Sequence, residues 1–249
     1  MNSIMTELET YLTNYWKNKK VLITGGTAGL GKSLTEQLLK LGAEVAIVAR
    51  NKSNLNELKE KYPNLIIISA DVSEVDDTHK ISGQTIGQLE GIDVLINNAS
   101  TLGVTPLKLL IDTQCETLEK VIETNLIGPF RLIKAVLPTM LLENSGLIIN
   151  ISSDAAKSSY PQWGSYSISK AALDHLTSVW REELTNSGVQ IVSIDPSDMH
   201  TAMHLAAIPD ADITQLYEPK EVAKDLLHFI ANNQFTQSRF SADEWRITL

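Results

Sequence analysis

Two patterns of apolar residues alternate along this chain. Short continuous apolar runs are each followed by a longer stretch in which apolar side chains recur every three or four positions. A continuous run predicts a strand buried on both faces, as in a parallel sheet, and the second pattern predicts an amphipathic helix. The predicted strands cover residues 20–24, 42–51, 65–68, 92–100, 147–151 and 189–194, with a last short strand within 238–249. The predicted helices cover 52–61, 74–89, 113–142 and 219–231, with a further helix that runs from the region of Tyr166 to Ser187.

A separate helical pattern precedes the first strand. Leu8, Tyr11, Leu12, Tyr15 and Trp16 recur at helical spacing and predict a short amphipathic helix packed on the rest of the protein. The alternative is an arm that docks a partner. No Pro- or Gly-rich linker, repeat or low-complexity block follows. We therefore expect a helical extension over 1–18 and a single domain over 19–249.

Composition narrows the possible classes of protein. The chain has 249 residues, 43% of them hydrophobic, which supports a large core. Its net charge of -9, without a basic block, argues against nucleic acid or an anionic membrane as a partner. The single cysteine, Cys115, suits a reducing cytoplasm, and the sequence shows no signal-peptide pattern or apolar run of the ~18 residues that a membrane span requires.

A glycine-rich loop joins the first strand to the first helix of the sheet. Gly25, Gly29 and Gly31 lie between an apolar run and a helical pattern. Glycine lets the backbone approach a pyrophosphate closely, and a helix start offers unpaired N–H groups to phosphates. The arrangement predicts a dinucleotide site, whereas the alternative is an ordinary tight turn between a strand and a helix.

The end of the second strand indicates which dinucleotide is preferred. Ala49 is followed by Arg50, and no carboxylate stands where an acid would bind a ribose 2′-OH. A guanidinium suits a 2′-phosphate, so NADP(H) is preferred over NAD(H), although Arg50 in a solvated role remains possible. Farther on, Asp71 either meets an adenine amino group or accepts N–H groups of its own loop, and Ser73 is a candidate helix cap.

Asparagines mark two further places. Asn97 and Asn98 follow the fourth strand, where they either form a loop or hold two strand ends together under a cofactor. Asn125 stands inside a long helical pattern, and Pro138 and the turn at 144–146 bracket the predicted end of that helix. Because Asn is unfavourable within a helix, Asn125 predicts a kink or a bound water.

A tyrosine and a lysine carry the candidate chemistry. Tyr166 and Lys170 are four residues apart, so they lie on one helix face, and Ser153 ends a strand thirteen residues before Tyr166. A lysine ammonium beside the phenol is expected to lower the pKa of Tyr166 and make it an acid/base catalyst. Many surface helices carry such a pair by chance.

The sixth strand is followed by a polar segment at the edge where ligands bind in open α/β sheets. Residues 202–217 are expected to form a mobile flap over the substrate, and their apolar residues favour a partly apolar carbonyl compound. His200 and His204 are a possible metal pair, but no third ligand is evident, so no metal site is predicted.

Together these motifs resemble the short-chain dehydrogenase/reductase family over roughly residues 19–220. The resemblance is carried by the glycine loop, Asn97-Asn98-Ala99, Asn125, Ser153, Tyr166 and Lys170, all in the family's order. It implies one Rossmann-like, doubly wound parallel sheet of about seven strands, nicotinamide-dependent oxidoreduction of a small carbonyl or alcohol, and a homodimer or homotetramer.

The resemblance also assigns roles. Tyr166 would exchange the proton, Lys170 would hold the nicotinamide ribose, Ser153 would bind the substrate oxygen, and Asn125 would position a water. The residues expected to bind cofactor are Gly25, Thr27, Gly29, Leu30, Gly31, Arg50, Asp71, Val72, Asn98, Ala99, Tyr166, Lys170, Pro196 and Thr201.

The sequence departs from the family pattern in several places. Ser100 and Ser197 each stand where the family has glycine, Thr27 stands where many NADP-dependent members carry a basic residue, and the tail lacks a glycine-rich end. Alternatives to an NADP(H)-dependent reductase are an NAD-dependent alcohol dehydrogenase and a dinucleotide-sensing module without turnover. A module of that kind predicts loss of Ser153, Tyr166 or Lys170, and all three are present.

Overall fold

The computed structural model describes residues 10–246. Seven parallel strands form one sheet in the order β3-β2-β1-β4-β5-β6-β7. This is the predicted doubly wound Rossmann-like sheet, with its order reversing between β1 and β4. The strands are β1 Lys20–Thr24, β2 Glu44–Ala49, β3 Ile66–Ser69, β4 Val94–Asn97, β5 Gly146–Ile151, β6 Val189–Ile194 and β7 Arg239–Phe240.

Helices cover both faces of the sheet. They are α1 (10–16), α2 Gly29–Lys40, α3 Lys52–Lys61, α4 Val75–Leu89, α5 Cys115–Ile122, α6 Gly128–Leu142, α7 Gly164–Glu183, α8 Ala202–Ala207, α9 Pro219–Asn232 and α10 Ala242–Arg246. A π-helical segment, Glu123–Ile127, joins α5 to α6, and single 3₁₀ turns lie at Leu110–Asp112, Asp154–Ala156 and Ile213–Gln215.

Alternating residues of each strand belong to two separate hydrophobic layers. Val21 and Ile23 of β1 face the layer formed with α1, α2, α3 and α9, whereas Leu22 faces the layer formed with α4, α6 and α7. Because side chains point alternately to opposite faces of a strand, a strand covered on both sides must be apolar throughout. This explains the continuous apolar runs in the sequence.

The first helix packs on the body of the protein, as its apolar spacing predicts for residues 10–16. Trp16 is fully buried, and its indole N–H donates to the carbonyl of Leu227 in α9 at 3.2 Å. The Tyr11 hydroxyl donates to the carbonyl of Ala231 at 2.8 Å. Leu8, also part of the predicted pattern, lies outside the described residues.

The predicted helix over 113–142 forms with a break at its centre. Its described run, Cys115–Leu142, is long and apolar enough to cross a membrane by length and composition, with a mean hydropathy of 1.2 in its most apolar window. The run passes through the π turn, and neither of the segments that it joins, of 8 and 15 residues, is by itself long enough to span a membrane. In that window 44% of residues are buried, and the helix packs against α4 and α7 as part of the protein core.

Two predicted details were wrong. Helix α7 stops at Glu183, before Ser187. Glu74 and not Ser73 is the N-cap residue of α4, and the Ser73 hydroxyl donates to Asp71. The end of α6 at Leu142 falls between Pro138 and the turn at 144–146, as predicted. The segment 202–217 contains α8 and a 3₁₀ turn, and a β-bridge ties Met199 to Tyr217; that this segment is a mobile flap stays a prediction.

The packing of α1 predicts a large stability cost for Trp16→Ala. Removing a fully buried indole leaves a cavity, so we expect the free energy of unfolding to fall by about 3–5 kcal/mol in urea denaturation. Tyr11→Phe is the control: it loses one hydrogen bond at a partly exposed side chain and should cost about 1 kcal/mol. Equal small effects would show that α1 unfolds separately from the sheet.

Candidate active site

A cleft opens at the carboxyl ends of the strands, where the strand order reverses between β1 and β4. Its volume is about 470 Å³. Ligands of open α/β sheets bind at such a reversal point. The sequence-predicted residues that line this cleft are Gly25, Thr27, Gly29, Leu30, Arg50, Asp71, Val72, Asn98, Ala99, Ser153, Tyr166, Lys170, Pro196 and Thr201. Gly31 and Asn125 lie behind its wall.

The glycine loop closes tightly against the sheet. Gly25 and Gly29 have φ values of +69° and +49°, a backbone conformation that other residues rarely adopt. A side-chain carbon on Gly31 would come within 2.2 Å of the Gly25 carbonyl oxygen, so only glycine lets α2 begin this close to the loop. Gly31 therefore shapes the cofactor cleft from behind.

A clamp of hydrogen bonds holds the ends of β1 and β4 together. The Thr24 hydroxyl accepts from the backbone N–H groups of Asn98 and Ala99, each at 3.0 Å. The Asn98 amide donates back to the Thr24 carbonyl at 2.9 Å. Asn98 thus fills the second of the two roles considered for it, that of joining two strand ends. Asn97 is buried and donates to Asn150 in β5.

Ser153, Tyr166 and Lys170 converge on one side of the cleft. Ser153 directly follows β5, and α7 brings Tyr166 and Lys170 back beside it. The Lys170 ammonium donates to the Ile151 carbonyl at 2.7 Å and lies 5.6 Å from the centre of the Tyr166 ring. The Ser153 hydroxyl donates to Asp154 at 2.9 Å. A hydroxyl, a phenol and an amine thus meet in one partly dehydrated pocket.

Burial controls the acid–base properties of this group. It raises the pKa of the Tyr166 phenol well above its ordinary value, and the hydroxyls of Ser153 and Ser100 only partly oppose it. It also lowers the pKa of Lys170 to about 8, although Asp174 acts in the opposite direction. The expected lowering of the Tyr166 pKa is therefore not seen here, because desolvation of the buried phenol is the largest effect.

Asn125 lies in the π segment, and its side chain joins the loop after β4 to α7 by hydrogen bonds. Its amide donates to the Thr101 carbonyl at 2.9 Å and to the Ser169 hydroxyl at 3.0 Å, and its oxygen accepts from the Thr101 N–H at 2.8 Å. The predicted helix irregularity at Asn125 is confirmed. The side chain is buried and ties the loop after β4 to α7, next to Lys170.

Arg50 and Asp71 lie at the end of the cleft beside β2 and β3. The Arg50 guanidinium is 3.5 Å from the Asp71 carboxylate, and its side chain is 70% exposed. Asp71 also accepts from the Ser73 N–H at 3.0 Å and from the Ser73 hydroxyl at 2.8 Å. These contacts lower the pKa of Asp71 despite its partial burial. Asp71 thus satisfies its own loop, the second of its two expected roles.

The segment after β6 closes the nicotinamide side. Ser197 has φ +71°, a conformation that favours glycine, and its N–H donates to Asp195 at 3.0 Å. The Thr201 hydroxyl caps α8. His200 faces Glu218 and His204 faces Asp198, so the histidines have separate partners. Among residues 10–246 no group of three potential metal ligands occurs.

The cleft has features that fit a dinucleotide. Ala28 precedes α2 in extended conformation and provides no side-chain cap, so the first-turn N–H groups of α2 have no capping oxygen from that residue. The Ser152 hydroxyl is buried in the cleft wall without a hydrogen-bond partner in the described part of the chain. Such donors suit phosphate and ribose oxygens.

Sequence reasoning missed some residues near this site. Trp163 directly precedes α7, a position that allows either a substrate-facing or a packing role, and its ring meets Tyr166 edge to face at 5.7 Å while lining the cleft. Asp154 accepts from Ser153 and was not singled out, although its position directly after Ser153 offered a signal. Arg239 donates to the Ser153 carbonyl from β7, and no motif in the sequence marks it.

The fold and the cleft at the glycine loop are those of a Rossmann-like dinucleotide-binding protein, and sequence comparison gives the family. The short chain dehydrogenase family profile matches residues 19–211, and the chain belongs to that family. An uncharacterized oxidoreductase of Staphylococcus aureus is 32% identical over 216 residues, which is 85% of this chain and 90% of the relative.

Two further similarities bear on the family. A 3-oxoacyl-(acyl-carrier-protein) reductase FabG of Staphylococcus epidermidis is 33% identical over 195 residues, 75% of this chain and 79% of that protein. A short-chain dehydrogenase structure from Streptomyces avermitilis superposes with a TM-score of 0.80 at 25% identity, covering 92% of this chain and 91% of that one. One from Salmonella enterica shares the fold, with a TM-score of 0.83 at 20% identity and 92% and 98% coverage. The protein is thus an oxidoreductase of a family that uses NAD(P)(H).

The tight contact at Gly31 predicts that Gly31→Ala weakens cofactor binding. The added carbon meets a backbone carbonyl, which cannot move without shifting the glycine loop, so we expect at least about tenfold weaker binding of NADPH by calorimetry. Gly83→Ala in α4 is the matched control, because its added carbon meets nothing within 4 Å. That variant should bind NADPH normally, and an equal loss in both would contradict the role of Gly31.

Proposed function

We propose that this protein transfers a hydride between NADP(H) and a carbonyl or secondary alcohol, with Tyr166 as the acid/base. The observation that carries the proposal is the convergence of Ser153, Tyr166 and Lys170 beside a cleft that begins at the glycine loop. Hydride chemistry comes from the nicotinamide when it is bound, whereas the protein supplies orientation and proton transfer.

In the direction of reduction, the Tyr166 phenol donates its proton to the substrate oxygen. The raised pKa keeps the phenol protonated before substrate arrives but makes it a weaker acid than a free tyrosine, so the charge of Lys170 and the hydroxyl of Ser153 have to favour the phenolate as the proton leaves. The Ser153 hydroxyl now donates to Asp154, and it would turn towards the substrate oxygen as that oxygen enters. Lys170 restores the proton and holds the nicotinamide ribose. In alcohol oxidation Tyr166 accepts the proton instead.

Asn125 acts in this proposal as a positioning residue. Both amide hydrogens and one of the two acceptor positions of its oxygen are used in holding Thr101 and Ser169. The water that Asn125 is expected to position would therefore bind to the backbone of the π segment, beside Lys170. The hydrogen bonds of Asn125 thus help to keep Lys170 in place beside the Tyr166 phenol.

The preference for NADP(H) rests on Arg50. It stands at the cleft rim with most of its side chain exposed, and no acid occupies the end of β2. Its contact with Asp71 is an exposed ion pair, worth about 0–1 kcal/mol. A doubly charged 2′-phosphate that forms bidentate hydrogen bonds outcompetes so weak a partner.

The substrate end of the cleft is partly apolar. Leu102, Trp163 and Met203 form a cluster with Tyr166, and all four line the cleft. This surface suits a carbonyl compound with an apolar group next to the reacting carbon. The name of the S. epidermidis relative describes reduction of a 3-oxoacyl group, which is the same class of reaction.

We further propose a cytoplasmic homodimer or homotetramer.

Calorimetric titration with NADPH and, separately, NADH tests the cofactor assignment. Arg50→Ala should weaken NADPH by about tenfold or more and NADH by less than about twofold, because only the 2′-phosphate meets the guanidinium. Lys52→Ala, at an exposed neighbouring position, is the control and should change neither affinity. Equal loss for both cofactors would remove the 2′-phosphate role of Arg50.

Tyr166→Phe tests the chemistry. The variant keeps the ring and its packing but lacks the transferable proton, so NADPH oxidation with a carbonyl panel should fall by about 100-fold or more. Its affinity for NADPH should stay within about twofold. Tyr160→Phe is the control, since that phenol contacts Asp154 at the surface and does not line the cleft. Loss of NADPH binding in Tyr166→Phe would mean that the tyrosine is structural.

A further inference from the structure

Arg239 is the one residue of β7 whose side chain enters the catalytic region. Its side chain is 10% exposed, and its guanidinium donates from all three nitrogens. Nε donates to Asp174 at 2.7 Å, Nη1 to the Ser241 hydroxyl at 3.1 Å and Nη2 to the Ser153 carbonyl at 3.0 Å. Nη2 also lies 3.6 Å from the Asp195 carboxylate. A planar guanidinium reaches these separated acceptors from three different nitrogens in fixed directions, whereas an ammonium has all its donors on one nitrogen.

Two cationic side chains thus bind the backbone at the end of β5, where Ser153 lies. Lys170 donates to the Ile151 carbonyl, and Arg239 donates to the Ser153 carbonyl two residues later. Between them, the Ser152 N–H pairs with the Ile194 carbonyl of β6. The backbone on both sides of Ser153 is therefore fixed by charge-assisted hydrogen bonds, which are the stronger kind.

The acidic partner of Arg239 connects it to the lysine. Asp174 lies on α7, four residues after Lys170, so the two side chains stand one helical turn apart on the same face. Asp174 is itself 14% exposed and is also hydrogen-bonded by the Ser193 hydroxyl. In so dry a place, an unpaired Asp174 would act strongly on the ammonium.

We propose that Arg239 is a positioning residue for the catalytic group, which holds Ser153 in place through its carbonyl and neutralises Asp174 below Lys170. The role of Arg239 in holding Ser153 rests on the proposed function, whereas its role in neutralising Asp174 concerns only the ionisation of Lys170. Arg239 lies outside the wall of the cofactor cleft, so its effect reaches the chemistry without contact with the dinucleotide.

The neighbours of Lys170 set the direction of the expected effects. The ionisable groups that face this region are Tyr166 and Asp174 of α7, Asp154 of the 3₁₀ turn, Asp195 after β6 and Arg239 of β7. A negative charge on Asp174 favours the charged ammonium, and Arg239 reduces that influence. Removing the arginine charge should therefore raise the pKa of Lys170, and removing the aspartate charge should lower it.

The first measurement is an NMR titration of the Lys170 ε-carbon in full-length protein labelled with ¹³C-lysine, assigned with Lys170→Arg. We expect the midpoint to rise by about half a pH unit or more in Arg239→Gln and to fall by a similar amount in Asp174→Asn. Arg246→Gln is the matched control, since Arg246 belongs to the same tail but pairs with Asp225 and stacks on Tyr217. It should leave the midpoint unchanged.

The second measurement separates geometry from charge. Arg239→Lys keeps the charge but loses the fork, so kcat for NADPH oxidation with 4-nitrobenzaldehyde should fall about tenfold while the NADPH Kd stays within about twofold. Midpoints that do not move, or that move in the same direction in Arg239→Gln and Asp174→Asn, overturn the electrostatic role. A wild-type kcat in Arg239→Lys overturns the positioning role. Absence of turnover in the wild type would count against the proposed function and leave the NMR result to decide this inference.

Discussion

The pair of hydrogen bonds between the Thr24 hydroxyl and the chain at Asn98 and Ala99 is the join on which the cleft depends. Where the order of a parallel sheet reverses, a gap opens beyond the strand ends, because the connections after β1 and β4 leave towards opposite faces of the sheet. The gap makes room for a ligand, but it also exposes two strand ends. The side chains of Thr24 and Asn98 hydrogen-bond the two strand ends to each other. The gap therefore stays open to a ligand, while the strand ends at its base are held rigidly.

The catalytic side of the cleft is held by the same means. Backbone carbonyls at the end of β5 accept from buried cations, and the π turn at Asn125 turns an asparagine towards the loop after β4. A regular helix would use every backbone group internally, whereas a π turn changes the direction of the following residues and is often found at functional sites. Irregular backbone thus occurs where side chains must converge.

Much of this arrangement follows from local sequence. Continuous apolar runs identify the strands because both faces of the sheet are covered, and Asn125 marks the helix break because asparagine is unfavourable inside a regular helix. The spacing of Tyr166 and Lys170 places them on one face without further information. The direction of the Tyr166 pKa did not follow, because desolvation depends on how completely distant elements cover the ring. Arg239 was missed for a similar reason: its partners come from β5, α7 and the segment after β6, and spacing along the chain does not bring these together.

The docking of α1 on α9 has a consequence for the order in which the protein can form. The indole of Trp16 finds its acceptor, the Leu227 carbonyl, 211 residues later in the chain. During synthesis this large apolar side chain has no site to occupy until nearly the whole sheet has been made, and contacts of such long sequence separation form slowly. Completion of the hydrophobic layer on this face therefore requires α9, and Trp16 has no acceptor for its indole N–H until that helix has been made.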